Sequence, residues 1–159
     1  MYQVGDKIVH PMHGAGVIES IVSQKVDGSL LQYYVMKMPN VGGMLVMIPI
    51  HTAGNIGVRS VVDFDTAEDL ILSLASLEIE STPNWNRRYR ENMLRIKSGD
   101  LSEVARVVKS LAARDQERGL STGERKMLHS AKQILISEIV LAQSAEYADV
   151  EQRINEGLA

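Results

Sequence analysis

The only tryptophan of the chain stands at the start of a basic segment, STPNWNRRYRENMLRIKSG, which spans residues 81–99. Arg87, Arg88 and Arg90 follow Trp85 within little more than one helical turn. An aromatic side chain can insert at a base step, and arginines beside it can neutralise phosphates. The same residue types also suit a Trp85 that is buried at a junction between modules, with solvated arginines on a helix surface. The residues alone leave both interpretations open.

A second set of basic residues lies in the segment TGERK, residues 122–126. A helix that begins here presents backbone N–H groups, followed by Arg125 and Lys126, and such an arrangement can bind phosphate. The formal net charge of the chain is -3, yet residues 82–132 hold twelve Lys/Arg against six Asp/Glu. The basic block therefore begins at the Trp85 segment, within an otherwise acidic chain.

Residues suited to catalysis or metal binding are sparse. The chain has no cysteine, and His10 and His13 in HPMHG have no nearby pair of acidic residues to complete a set of three or four metal ligands. The glycines match neither a phosphate loop nor a dinucleotide fingerprint, and the acids at residues 63–69 suit the start of a helix. We predict no catalytic residue, no metal and no cofactor, and hence a protein that is not an enzyme.

The first half of the chain has the pattern of short strands. Segments rich in β-branched and aromatic residues alternate with Gly, Pro and Asn turns, and Asp27-Gly28 is a strong signal for a hairpin. The predicted strands are KIVH, GVIESIV, LLQYYVMKM, MLVMIPI and NIGVRSVV. Several short strands within about 60 residues predict a small barrel or a curled sheet.

From Thr66 onward the apolar residues recur with the period of a helix. Thr66 is the predicted N-cap of a helix over TAEDLILSLASLEIE, residues 66–80, and Pro83 interrupts the pattern. The Trp85 segment is predicted to form a second helix that ends near Gly99, because glycine readily adopts the conformation that ends a helix.

Two later helices have clear start signals. Asp100 with Glu103, and Ser121 with Glu124, have the spacing of a capping box. The buried stripe predicted for the first helix consists of Leu101, Val104, Val108 and Leu111. In the second helix the stripe turns from core to surface along Met127, Leu128, Ala131, Leu135 and Glu138.

The fold class predicted from these elements is α+β. A small β module over residues 1–60 precedes an all-α helical module over residues 61–159, which ends with a short helix over 148–156. No apolar run approaches the roughly 20 residues of a membrane helix, and the N-terminus lacks a signal-peptide pattern. We therefore expect a cytoplasmic protein that has no membrane partner.

Over essentially its whole length the chain resembles the CarD/CdnL family of bacterial transcription regulators. The segments that carry this resemblance are VGDKIVHPMHGAGVI, IGVRSVV, NWNRRYRENMLRIKSGD and RDQERGLSTGERKMLHSAKQIL. The resemblance implies a Tudor-like β-barrel module, also found in transcription-repair coupling factors, that binds the lobe of the RNA polymerase β subunit. It implies a helical module that contacts promoter DNA at the upstream edge of the melted region. The expected result is a more stable open complex, without catalysis.

The resemblance also implies roles for individual residues. Trp85 corresponds to a wedge in the minor groove, and the DNA-contacting basic residues correspond to Arg87, Arg88, Arg90, Arg125 and Lys126. The polymerase-contacting residues correspond to Gln24, Lys25, Val46, Met47 and Ile48. Met47 and Gln24 stand where some relatives carry basic residues, so a weaker or altered polymerase contact is expected.

A different class of function is also compatible with the sequence. The basic face and Trp85 could bind an acidic protein partner, with Trp85 as the central contact of a pure protein-interaction module. Exposed sheet edges would in addition allow a second copy to pair weakly or to exchange a segment in a domain-swapped dimer. If the polymerase is the partner, the protein is cytoplasmic and lies at the nucleoid.

Overall fold

Five antiparallel strands form the first half of the chain in the computed structural model, which describes residues 1–40, 42–79 and 82–159. The strands are β1 (Lys7–His10), β2 (Gly14–Val26), β3 (Ser29–Lys37), β4 (Leu45–Pro49) and β5 (Arg59–Ser60). They lie in the order β4-β3-β2-β1-β5, so that β4 and β5 are the two edges. Helices follow the sheet, which confirms the predicted α+β class.

The hairpin between β2 and β3 has the predicted two-residue turn. Asp27 and Gly28 both have positive φ angles, 50° and 80°, and Val26 pairs with Ser29 across the turn. Two positive φ angles are the requirement of a type I′ turn, whose twist matches that of the strands it joins. The Asp-Gly pair therefore fixes the register of the longest hairpin.

One face of the sheet covers a small core. The fully buried side chains of this core include Ile8, Ile18, Tyr34, Met36 and Ile48. The Tyr34 hydroxyl accepts a hydrogen bond of 2.9 Å from the backbone N–H of Tyr2. The N-terminal segment is thereby fixed against the sheet.

The prediction of a strand over NIGVRSVV is wrong for most of these residues. A 3-10 turn at Ile50–Thr52 leads into a single helical turn, α1 (Ala53–Ile56), and only Arg59–Ser60 forms β5. Gly57, with φ of 100°, ends α1, and its N–H donates to the carbonyls of Ala53 and Gly54. A left-handed residue at this position turns the chain, so only two residues remain to pair with β1.

Five helices make up the rest of the described chain. They are α2 (Phe64–Ser73), α3 (Trp85–Lys97), α4 (Leu101–Arg118), α5 (Thr122–Gln143) and α6 (Tyr147–Leu158). The stripe predicted for α4 is confirmed, because Leu101, Val104, Val108 and Leu111 are all buried in the helical core. The predicted final helix is confirmed and is slightly longer than expected.

The helix predicted over residues 66–80 starts earlier and ends sooner. Asp63 is the N-cap of α2, since its carboxylate accepts the N–H of Thr66 at 2.8 Å, whereas Thr66 lies inside the helix. The helix ends at Ser73, a 3-10 turn follows at Leu74–Ser76, and residues 77–79 have no regular secondary structure. The predicted extension to Glu80 lies outside the described residues.

Helix α5 lies directly against strand β2. The backbone N–H of Ala15 donates to the Ser137 hydroxyl at 2.9 Å. A Cβ at Gly14 would approach the same oxygen to 2.6 Å and the Ile134 Cα to 3.2 Å, and Gly14 has φ of 100°. Glycine is therefore required where the backbones of the two modules meet.

Glu138 of α5 is fully buried, and the prediction that the stripe reaches the surface there is wrong. Its two oxygens accept hydrogen bonds of 2.7 and 2.8 Å from Arg59, and one of them also accepts the Val62 N–H at 3.0 Å. Arg59 donates in addition to the carbonyl of Gly99. Hydrogen bonding to Glu138 raises the pKa of Arg59. This ion pair joins the sheet, α5 and the α3–α4 turn.

Substitution of Glu138 by alanine should destabilise the fold by about 3 kcal/mol, because it removes three hydrogen bonds and leaves a cavity at the junction. The free energy of unfolding from urea denaturation measures this loss. The exposed Glu156 on α6 gives a matched control, and its alanine variant should stay within about 0.5 kcal/mol of the original protein. Equal losses in the two variants would contradict a structural role for Glu138.

Candidate functional site

Trp85 and Tyr89 form an aromatic pair at the N-terminal end of α3. Asn84 caps the helix, since its side-chain oxygen accepts the Arg87 N–H at 3.0 Å. Residues four apart share one side of a helix, and the two rings stack with centroids 5.0 Å apart and planes 18° apart. The Trp85 indole N–H donates to the Ser121 hydroxyl at 3.1 Å. The ring therefore links the first turn of α3 to the start of α5.

Trp85 lies at the surface and not in the junction between the two modules. It is 41% exposed, and the polar and aromatic contacts described above come from α3 and the start of α5. The interpretation of Trp85 as an anchor between modules is therefore wrong. The alternative in which its ring is presented to a partner agrees with this exposure.

A buried ion pair lies beside the aromatic pair. Arg88 donates to Glu124 from Nε at 2.8 Å and from Nη2 at 3.1 Å, and both side chains are almost fully buried. Arg88 also donates to the carbonyls of Thr82 and Pro83. These hydrogen bonds lower the pKa of Glu124 and raise that of Arg88. The pair fixes the start of α5 to α3 and to the segment before it.

The burial of Arg88 corrects its expected role as a phosphate contact. Arg88 is 6% exposed, and Glu124 and two carbonyls already accept its N–H groups. Its periodicity could have indicated burial, since Arg88, Asn92 and Ile96 lie four residues apart and all three are buried. Its partner is 36 residues away in the chain, and no local pattern identifies it.

The other four basic residues of the predicted set are exposed. The Arg87 side chain is 72% exposed and pairs with Glu91 at 2.9 Å, a surface contact of little strength. Arg90 and Lys126 are also exposed. Arg125 is exposed and donates one N–H to the Leu120 carbonyl at 3.0 Å. Four exposed cations therefore lie near the starts of α3 and α5.

The cations of α3 and those of α5 lie differently with respect to Trp85. At 3.6 residues per turn, Arg87 and Arg90 leave α3 at angles of about 200° and 140° from Trp85. Arg125 and Lys126 lie in the first turns of α5, next to the Ser121 that contacts the indole. Arg87 and Arg90 therefore lie on the side of α3 away from Trp85, whereas Arg125 and Lys126 follow the residue that contacts its indole.

The start of α5 has the predicted capping residue. The Ser121 hydroxyl accepts the N–H of Glu124 at 3.2 Å, so the cap is confirmed. The carboxylate of Glu124, in contrast, points to Arg88 and to the Ser121 hydroxyl. Sequence reasoning assigned Ser121 and Glu124 only to capping and gave Tyr89 no role. The spacing of Trp85 and Tyr89 is the signal that could have indicated the stack.

The second set of predicted site residues lies on the sheet. Strand β4 is an edge, with Met47 opposite Val35 of β3. Met47 is 42% exposed, whereas Ile48 is 1% exposed and Val46 packs against the sheet core. A side-chain contact of Ile48 with a partner is therefore ruled out in this conformation, and only its backbone is near the edge.

Gln24 and Lys25 are exposed near the tip of the β2–β3 hairpin. Gln24 pairs with Leu31 of β3, and Met47 pairs with Val35 of the same strand. Leu31 and Val35 are four residues apart and therefore lie on one face of β3, so Gln24 and Met47 share the outer face of the sheet. Lys25 pairs with Leu30 and lies on the opposite face. At about 3.3 Å per residue, the positions of Gln24 and Met47 are separated by about 13 Å along β3.

His10 and His13 lie together, with ring centroids 4.5 Å apart. Burial, together with His13, lowers the pKa of His10, whose Nδ1 accepts the Met12 N–H at 3.1 Å. Across residues 1–40, 42–79 and 82–159 no group of three or more His, Asp or Glu side chains is arranged to hold a metal ion. Within the same ranges no helix is long and apolar enough to cross a membrane.

An arginine-to-methionine change at position 88 should cost about 3–5 kcal/mol of unfolding free energy, because it leaves Glu124 buried without its cation. The same change at the exposed Arg87 is the matched control and should cost about 0.5 kcal/mol or less. Urea denaturation of the two variants measures the difference. If both variants lost the same small amount, the buried pair would not hold α3 and α5 together.

Comparisons with known proteins match nearly the whole chain. Residues 2–62 match the CarD-like/TRCF RID domain, and residues 69–155 match the CarD C-terminal domain. The chain is 37% identical over 139 residues to "Putative transcription factor YdeB" of Bacillus subtilis (strain 168). The aligned part covers 87% of this chain and 90% of that relative. The chain therefore belongs to the CarD family of transcription regulators.

Proposed function

We propose that this CarD-family protein binds the RNA polymerase β subunit through its N-terminal sheet and stabilises the promoter open complex through its helices. Trp85 is the wedge in the minor groove at the upstream fork, and Arg87, Arg90, Arg125 and Lys126 contact the neighbouring phosphates. The observation that carries the proposal is an aromatic ring held at the surface where two helices begin, with exposed cations in the first two turns of each helix.

The net charge of -3 supports a tethered mode of DNA binding. Affinity for free duplex comes largely from neutralised phosphates, and four exposed cations in an acidic chain supply little of it. Binding to polymerase raises the local concentration of the helical module at the promoter, so a small basic surface is enough. Weak binding to naked duplex therefore accompanies clear stabilisation of the polymerase–promoter complex.

The proposed polymerase contact combines the β4 edge with the outer face of the sheet. An edge strand offers backbone hydrogen bonds to a strand of the partner, and these tolerate changes of side chain. Met47 lies across from Val35 on the outer face, and Tyr33 lies across from Pro49 in the next row. Val35 is buried, so Met47 and the partly buried Tyr33 and Pro49 are the apolar residues available to an interface in which no arginine is needed at position 47, because methionine adapts to irregular surfaces.

The Trp85→Ala variant should shorten the lifetime of the open complex by about fivefold or more, since a base–aromatic contact contributes about 1–3 kcal/mol. Decay of polymerase–promoter complexes after addition of a competitor measures this lifetime. Polymerase binding should persist, because Trp85 lies outside the sheet. Leu72→Ala, which removes an exposed apolar side chain from α2, is the matched control and should leave the lifetime unchanged.

An unchanged lifetime in the Trp85→Ala variant would remove the wedge from the mechanism. A promoter footprint with and without this protein separates the two classes of function. Protection that changes at the upstream edge of the bubble supports the DNA contact. No change there would favour the alternative, in which the basic helices and Trp85 bind an acidic protein partner.

A Met47→Glu change should weaken polymerase binding by about tenfold or more, because it places a carboxylate in an apolar contact. The side chain is already half exposed, so the sheet itself should remain stable. Val4→Glu adds the same charge at an exposed apolar position away from β4, and it should bind polymerase normally. Pull-down titration with the β lobe compares the two. Similar affinities would place the polymerase contact elsewhere.

A further inference from the structure

The Ser121 hydroxyl uses its whole capacity for hydrogen bonding inside the protein. It accepts the Glu124 N–H at 3.2 Å and the Trp85 indole N–H at 3.1 Å, and it donates to the Glu124 carboxylate at 3.4 Å. A hydroxyl has one donor and two acceptor positions, so all three are occupied. The only polar group of the Trp85 side chain is therefore bonded within the protein.

Tyr89 fixes the plane of the same ring. Its ring lies 5.0 Å from that of Trp85 and nearly parallel to it, and Tyr89 itself is half buried against the helical core. Gly123 lies at the margin of the stack, where a Cβ would be 3.7 Å from carbons of both rings. Trp85 is thus constrained by a hydrogen bond and by a stacking contact, yet it remains 41% exposed.

We propose that Ser121 and Tyr89 are positioning residues that hold Trp85 as a pre-oriented apolar wedge. This inference rests on the proposed function and adds how the wedge meets DNA. The exposed part of the ring makes the contact, and the indole N–H does not. In the minor groove an N–H donor would bond the N3 of adenine or the O2 of thymine. With that donor held by Ser121, the contact carries little base information and tolerates many promoter sequences.

The buried ion pair beside the stack supports this arrangement. Arg88 and the Ser121 hydroxyl both donate to the Glu124 carboxylate, and the Ser121 hydroxyl accepts the indole N–H of Trp85. A continuous chain of hydrogen bonds therefore connects the buried ion pair to the Trp85 ring. A side chain that is already ordered loses less conformational freedom on binding. Loss of the positioning contacts should therefore shorten the open-complex lifetime by about two- to tenfold, while the ring itself is still present.

The sole tryptophan makes the hydrogen bond directly observable. An NMR spectrum of ¹⁵N-labelled protein contains one indole N–H signal, and its exchange with water should be slower in the original protein than in a variant that lacks the Ser121 hydroxyl. Ser121→Ala should accelerate the exchange, whereas Ser121→Thr keeps a hydroxyl and should preserve slow exchange. Asp63→Ala removes the N-cap of α2 and is the matched control for lost capping. It should leave the indole signal unchanged.

A double-mutant cycle tests whether Ser121 acts through the indole. Ser121→Ala should shorten the open-complex lifetime in the original protein and should have no further effect in a Trp85→Phe background, which lacks the N–H. Tyr89→Leu should shorten the lifetime, and Tyr89→Phe should preserve it because the stack remains. Equal effects of Ser121→Ala in both backgrounds would show that Ser121 acts only as a helix cap and would overturn the inference.

The outcomes also separate this inference from the proposed function. If Trp85→Ala leaves the lifetime unchanged, the wedge itself is wrong. If Trp85→Ala shortens the lifetime while Ser121→Ala and Tyr89→Leu do not, the wedge stands and only its positioning by Ser121 and Tyr89 is overturned. Indole exchange that is as rapid in the original protein as in Ser121→Ala would overturn the positioning role directly.

Discussion

Two carboxylates buried on α5 determine how the rest of the molecule is arranged. Glu124 and Glu138 are both almost inaccessible, and a buried carboxylate requires a cation and further hydrogen bonds. Arg88 meets the first from α3, and Arg59 meets the second from the sheet. The 22 residues of α5 therefore connect the aromatic pair at one end to the β module at the other. The Arg88–Glu124 pair fixes the start of α5 within the helical module, and the Arg59–Glu138 pair fixes a later part of α5 to the sheet.

The helix makes the two proposed surfaces parts of one body. Ser137 and Gly14 bring the backbones of α5 and β2 together, and Ser121 holds the Trp85 ring at the far end of the same helix. A polymerase contact on the outer face of the sheet thus fixes the direction in which Trp85 points. Tethering then restricts orientation as well as raising concentration, so the DNA contact needs fewer charges of its own.

Several features set by neighbouring residues were predictable from the sequence, although the N-cap of α2 is Asp63 and not the predicted Thr66, whereas features set by distant residues were not predictable. The Asp27-Gly28 turn and the Ser121 cap depend on local backbone preferences, and both are confirmed. The burial of Arg88 and Glu138 depends on partners 36 and 79 residues away. The four-residue spacing of Arg88, Asn92 and Ile96 indicates the buried side of α3, but it does not identify Glu124 as the partner. The inward orientation of Ile48 likewise became clear only once the register of β3 and β4 was known. The roles assigned to individual residues at the polymerase and DNA surfaces stay predictions.

The length of α5 between its two ion pairs has a consequence for sequence change. Glu124 and Glu138 are fourteen residues apart, which corresponds to about 21 Å along a helix and places both on nearly the same side. One inserted or deleted residue between them would shift one end by about 1.5 Å and rotate it by about 100°. Arg59 and Arg88 could then not both reach their carboxylates. Substitutions on the exposed side of this helix are tolerable, whereas a change in its number of residues would point Trp85 away from the direction that the sheet defines.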